Sequence, residues 1–217
     1  QYYIDNFNKV PYDWNKLIIN LKFTESQLFK IRDYLPWKNV SKYQTLYPGF
    51  IDLFAERLYW PYILKYQQVP TYLIEKYGDK LDWKNDISIT TNLPEDFIIK
   101  HQDKLSWINI SKYQNLSENF IRKYKNKLNW FNITIYQKMS EKFIEEFASY
   151  VCFYMLPIYQ NLSHAFIKKY LRYLDWDMLI MYEDLNDDII HAMACININK
   201  VNWKLLKSEQ DLSAKIL

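Results

Sequence analysis

Glycine is almost missing from this chain, with only Gly49 and Gly78 in 217 residues. Without glycine-rich loops, backbone N–H groups cannot crowd around a phosphate, so nucleotide-cradling motifs are excluded. Cysteine is equally scarce. Cys152 and Cys195 belong to no paired or ligand-spaced motif, which leaves no disulfide framework and no zinc site. Both thiols are expected as small core residues in a reducing compartment. No apolar run approaches the roughly 20 residues that span a bilayer, and no signal peptide is visible. The run Val151–Tyr159 is too short and reads as one buried helix. A strong excess of either charge is also lacking: the net charge of +3 is too small to argue for nucleic acid by itself.

What the chain does have is a periodic aromatic. Trp14, Trp37, Trp60, Trp83, Trp107, Trp130, Phe153, Trp176 and Trp203 recur about every 23 residues, slipping by one before Trp107 and by four before Trp203. A fixed period of this size is the signature of a repeat array in which each unit packs on its neighbours. Hydrophobic residues make up 49% of the chain, enough for a core running through every unit. The expected fold is an all-α helical-repeat solenoid of about nine two-helix units, one array over residues 1–217. Its first repeat is degenerate and its last is truncated at 212–217, as in a fragment or a protein whose ends are covered.

The clearest copies start at Leu116, Met139 and Leu162, and each contains two short amphipathic segments. In the first segment Phe120, Ile121, Tyr124 and Leu128 share one stripe. Thr24, Ser117, Ser140, Ser163 and Asn186 stand where an N-cap oxygen belongs, with Pro70 and Pro94 there in other copies. Glu25, Glu95, Glu118, Glu141 and Asp187 follow and suit a helix N-terminus. The second helix is expected to start at the aromatic, capped by Asp13, Asp82, Ser106, Asn129, Asp175 or Asn202. Two copies depart from this pattern. The Trp83 copy carries an extra residue within Lys84–Asp86 and reads Thr90-Thr91 where others read Tyr-Gln. Pro157 predicts a late start or kink in the Phe153 copy.

Seven residues after the aromatic stand Gln44, Gln67, Gln114, Gln137, Gln160 and Gln210, with Glu183 in the same slot. An amide offered once per repeat could read one ligand element per unit, as helical RNA-binding repeats do. The helical angle favours another role. Seven residues is about −20° from the tryptophan, so the amide follows the buried face and suits a structural ladder that satisfies groups of the following turn. Trp37, Trp60, Trp83, Trp107, Trp130 and Trp176 are read as inward anchors of the second helices. The tyrosines before the amides (Tyr43, Tyr66, Tyr113, Tyr136, Tyr159, Tyr182) fall at the stripe's margin and read as half-buried packing residues.

Charge is uneven. Nine Lys and Arg fall within Lys100–Lys142, including Arg122, Lys123, Lys125 and Lys127, against three acids; Asp175–Asp188 holds six acids and no base. These faces read as solvated surface, as a handle for a protein partner, or as a phosphate-contacting patch at Arg122, Lys123, Lys125 and Lys127. His101 is expected as a satisfied, partly buried histidine and His164 as exposed; no histidine stands at metal-ligand spacing. With no nucleophile elbow, no paired carboxylates and no cofactor motif, the pattern points away from catalysis and from a small-molecule substrate.

The unit Leu-Ser-x-x-Phe-Ile-x-x-Tyr…Leu-Asp/Asn-Trp-x-x-Ile-x-x-Tyr-Gln, best from Leu93 to Tyr182, resembles a repeat of tandem-array proteins in large DNA viruses of amoebae. The resemblance implies a viral protein acting in an infected cell, in its cytoplasm or viral factory, or in the particle, through binding. It transfers no active residues. The expected function is a non-catalytic protein-interaction scaffold without cofactor, metal or membrane contact. A structural component of a virus particle, or nucleic-acid binding through residues 98–142, stands as the alternative.

Overall fold

The computed structural model describes residues 2–6, 12–90 and 92–210. All regular structure among them is helical, in short segments that alternate along the chain. The fold is an all-α helical repeat. The truncated last copy (Leu212–Leu217), Thr91 and part of the degenerate first copy lie outside the described residues. The chain divides into two compact units, Gln1–Gln114 and Asn115–Leu217.

Both units are built from one hairpin, and the local signals for it are the capping residues. Thr24, Ser117, Ser140, Ser163 and Asn186 each accept the N–H three residues on and start a first helix. Pro70 and Pro94 occupy that position without a side-chain bond. Second helices begin at the aromatic and end one residue before the amide, as in Trp37–Tyr43, Trp60–Tyr66, Trp130–Tyr136 and Trp176–Tyr182. Asp13, Asp82, Ser106, Asn129, Asp175 and Asn202 cap them. Helices of six or seven residues are too short to hold alone, so stacking must hold them.

Departures in sequence are absorbed locally. The extra residue after Trp83 becomes a π-turn over Trp83–Ile87, with the Ile87 N–H reaching Asp82 O at 3.1 Å. That insertion puts Ser88 back in register. In the Phe153 copy the chain makes a 3-10 turn over Phe153–Met155, and the α-helix starts only at Leu156, with Pro157 in its first turn. The four-residue slip before Trp203 lengthens a first helix to eleven residues, Asp187–Asn197.

In Gln1–Gln114 the second helices Trp14–Asn20, Trp37–Tyr43 and Trp60–Tyr66 pack side by side; in Asn115–Leu217 the same holds for Trp130–Tyr136, Leu156–Tyr159, Trp176–Tyr182 and Trp203–Glu209. The innermost side chains are aliphatic. Val40, Ile63, Ile110, Ile133 and Leu179, three residues after the tryptophan, have no exposed surface, and neither do Ile51, Ile74, Ile98, Ile121, Ile144 and Ile167 of the first helices.

The tryptophans correct the expectation of inward anchors. Trp60 and Trp176 are buried, but Trp37, Trp83, Trp107 and Trp130 are only part-buried, and Trp203 is 40% exposed. Depth does not follow the indole N–H, which finds a carbonyl in buried and part-buried rings alike. In Trp60, Trp83, Trp130 and Trp176 it donates to the residue five earlier (Ala55, Gly78, Lys125, Leu171) at 2.7–3.1 Å. The faces of the part-buried rings meet the aromatics of the next first-helix segment: Trp37 on Phe54 (4.7 Å), Trp83 on Phe97 (6.0 Å) and Trp130 on Phe147 (5.1 Å). Trp37, Trp83 and Trp130 are clasps between hairpins.

Candidate interaction surface

Every second helix ends with backbone groups that the next hairpin must satisfy if they are to be buried. The glutamines do this, but backward and not on the following turn. Gln44 accepts the Phe23 N–H (2.9 Å) and donates to Ile18 O (2.6 Å) and Leu21 O (2.8 Å) of the hairpin before it. Gln67 repeats the pattern on Leu46, Ser41 and Gln44. Gln160 does so on Met139, Thr134 and Gln137, and Gln210 on Leu185, Ile180 and Glu183. Gln114 accepts from Leu93 and donates to Ser88 O; Gln137 accepts from Leu116. Gln44, Gln114, Gln137 and Gln160 are buried and Gln67 is part-buried. An amide so used has both N–H donors spent.

Two further ladders run beside it. Ser41, Ser88 and Thr134 each donate to the carbonyl of their own helix's tryptophan and accept the N–H of the residue before the next aromatic (Tyr59, Ser106, Cys152) at 2.9–3.2 Å. Ser111 donates likewise to Trp107 O. All four are fully buried. Sequence reasoning missed them, although a hydroxyl four residues after Trp37, Trp107 and Trp130 was a visible signal. The acidic residues at first-helix starts also do more than face a dipole. Glu25 accepts the Tyr47 N–H (2.7 Å), Glu118 that of Ser140 (2.6 Å), and Glu141 both the N–H and the hydroxyl of Ser163.

Glu183 is the exception in the amide row. Partial burial pushes its carboxyl up to about 7, against the lowering effects of the Leu162 N–H and of His164. A carboxylate can accept at this position but cannot donate to carbonyls as Gln160 does. His164 Nε2 lies 2.7 Å from Asp184 O, and its Nδ1 is 3.1 Å from the Asn186 amide.

In the middle basic stretch the arginine is already engaged. Arg122 grips Glu146 with both arms (2.8 and 2.7 Å) and Asn119 with a third N–H, which raises its own pKa and lowers that of Glu146. Lys123 lies over Tyr124, and Lys125 about 6 Å from the Phe147 and Tyr150 rings; Lys127 is exposed. The fork that would hold a phosphate is closed on a carboxylate. Other ion pairs also link neighbouring hairpins: Arg57–Asp33, Lys76–Asp52, Lys80–Glu56, Lys100–Glu75 and Lys169–Glu145. His101 joins Glu75 at 2.9 Å and is part-buried, as its position in the stripe suggests.

No family model, curated protein or solved structure matches this chain. The surface therefore has to be read from its own side chains. Among the described residues no three His, Cys, Asp or Glu side chains are placed to hold a metal, and no helix is long and apolar enough to cross a membrane. Cys195 corrects the expectation of a core thiol: it is exposed on Asp187–Asn197, one turn from His191, with its sulfur 3.6 Å from Nδ1. Cys152 is part-buried.

What remains outward is the far side of the second helices. Of the tyrosines at the end of the second helices, Tyr43 is part-buried as its margin position suggests, while Tyr66 at 45% and Tyr182 at 57% are more open. One and five residues after the aromatic, Asn115–Leu217 presents Phe131, Tyr154 and Met181 exposed, with Ile135 and Ile158 part-buried. Gln1–Gln114 presents Lys38, Lys42, Lys65 and Lys112 in this register, together with exposed Ile19 and Ile108.

Proposed function

We propose that this chain is a non-catalytic protein-interaction scaffold of the helical-repeat type, and that it is a viral protein. The observation that carries the scaffold reading is the outward apolar group of exposed Phe131, Tyr154 and Met181 with part-buried Ile135 and Ile158, on adjacent second segments in Asn115–Leu217. Large apolar side chains grouped on one face favour a protein surface that covers them. The repeated polar residues support the same reading from the other side, because their hydrogen-bonding capacity is spent between hairpins. The viral assignment rests on the resemblance of the repeat unit alone.

The test is capture from the native cell with the wild-type chain and with a Phe131→Glu/Ile158→Glu variant. The expected result is one or a few proteins retained in high salt by the wild type and lost from a variant that melts normally. Retention of the same proteins by the variant, or recovery of salt-eluted nucleic acid only, overturns the reading.

A further inference from the structure

The second helices Trp37–Tyr43 and Trp60–Tyr66 carry Lys38, Lys42 and Lys65 and not one Asp or Glu. Among the described residues no carboxylate comes within ion-pair distance of these three ammonium groups, whereas Lys76, Lys80, Lys100 and Lys169 each have one. Tyrosine rings hold the three lysines instead. Lys42 Nζ lies 4.8, 5.6 and 5.8 Å from the ring centres of Tyr43, Tyr62 and Tyr66. Lys38 Nζ lies 5.0 Å from Tyr59 and 5.8 Å from Tyr62, and Lys65 Nζ 5.6 Å from Tyr66. A cation over a ring face keeps its charge and loses much of its freedom, so these ammonium groups are set in place before any anion arrives. Tyr59, Tyr62 and Tyr66 meet edge to face, at 4.9 and 5.8 Å, so successive rings present faces at different angles.

At one end this face opens into a cleft of about 490 Å³ that includes Lys22, Lys42, Tyr43, Tyr66 and Gln68 in its lining. Lys22 donates to Tyr43 O at its edge. The surface offers hydrogen-bond donors and positive charge, which complements phosphate. Neither helix exposes a Leu, Ile, Val, Met or Phe that a protein partner could bury. Bases, by contrast, each bring a π-face that stacks on tyrosine while their phosphates follow the lysines.

We propose that this face binds single-stranded nucleic acid, with Lys38, Lys42 and Lys65 contacting phosphates and Tyr43, Tyr62 and Tyr66 stacking bases. The site is distinct from the basic stretch at Arg122 and from the apolar row proposed for a protein partner. The experiment is fluorescence anisotropy of the whole chain with a short labelled oligo-dT strand across a salt series, with poly-glutamate as competitor. Binding should weaken linearly in log salt by about 0.7 per phosphate contact. Lys42→Glu/Lys65→Glu should lower affinity about tenfold or more and flatten that slope. Tyr62→Ala and Tyr66→Ala should weaken binding and leave the slope unchanged, with melting curves confirming that each variant folds. Four outcomes overturn the proposal: no binding at low salt, wild-type affinity in Lys42→Glu/Lys65→Glu, loss only in Arg122→Glu/Lys123→Glu/Lys125→Glu, or displacement by poly-glutamate as effective as by unlabelled strand. The last would mark the face as a dock for an acidic protein.

Discussion

In Gln1–Gln114 the outer row of the second helices holds Lys38, Lys42, Lys65 and Lys112, with exposed Ile19 and Ile108 at its two ends. In Asn115–Leu217 the same register holds Phe131, Ile135, Tyr154, Ile158 and Met181, with Asp177 and Lys204 beyond them. The inner rows of the two units hardly differ: Gln44 and Gln160 make the same three bonds to the hairpin before them, and Ser41 and Thr134 bridge the same pair of backbone groups. The contrast follows from what each position must satisfy. A residue that closes a buried carbonyl or N–H is confined to a few chemistries, because leaving that group unpaired costs about 1–3 kcal/mol. A residue facing water has no such duty and is free to become a lysine in one unit and a phenylalanine in the other. Function is therefore expected to differ between units that share one framework.

The sharpest attack on the common framework is aromatic truncation. Trp60→Ala and Trp176→Ala remove buried rings from the two units, and each should cost about 3–5 kcal/mol in urea unfolding. Trp203→Ala should cost much less, since that ring is 40% exposed. Equal losses at all three positions would break the distinction between core and rim.

Next in size are the amides. Gln44→Ala and Gln160→Ala should each destabilise by about 2–3 kcal/mol, since each strands buried backbone groups. Unequal costs would show that the two ladders are not equivalent. Ser41→Ala and Thr134→Val should cost about 1–2 kcal/mol for the same reason, with one bridge lost instead of three bonds.

Glu183→Gln should act in the opposite direction. Its carboxyl sits at about 7 in the folded chain, above the usual carboxylate value of 4.5, so the folded state holds a proton that the unfolded state releases. Stability from this group is present below pH 4.5 and is lost as pH rises through 7. The variant should gain about 1 kcal/mol at pH 8, less than the full linkage value because the group is partly solvated, and little at pH 5. A wild-type pH–stability curve that stays flat between those values would remove Glu183 from this role. A parallel His164→Ala variant removes the neighbouring charge that acts on Glu183.

Much of the hairpin was legible because its signals are local. A cap oxygen at Ser117 or Asn129 acts on an N–H three residues away, and the Trp period marks each second-helix start without reference to the rest of the fold. The extra residue after Trp83 and the proline at 157 were equally readable, since one adds to a helix ladder and the other subtracts from it. The partners of the polar rows were less accessible. Gln160 bonds residues 21 to 26 positions earlier, and nothing within its own helix says whether it reaches back or forward. The depth of the tryptophans was less accessible for a related reason: apolar spacing gives a direction around the helix axis but not how closely the next hairpin covers the ring, which leaves Trp60 buried and Trp37 part-buried.

By itself, then, the sequence determined the repeat, the hairpin, its caps and its irregular copies, because each depends on contacts within a few residues. Only the tertiary structure decided which polar side chains bind neighbouring hairpins and which remain available. That choice depends on two hairpins meeting at one distance and angle, and it left Arg122 occupied while Lys38, Lys42 and Lys65 stayed without a carboxylate.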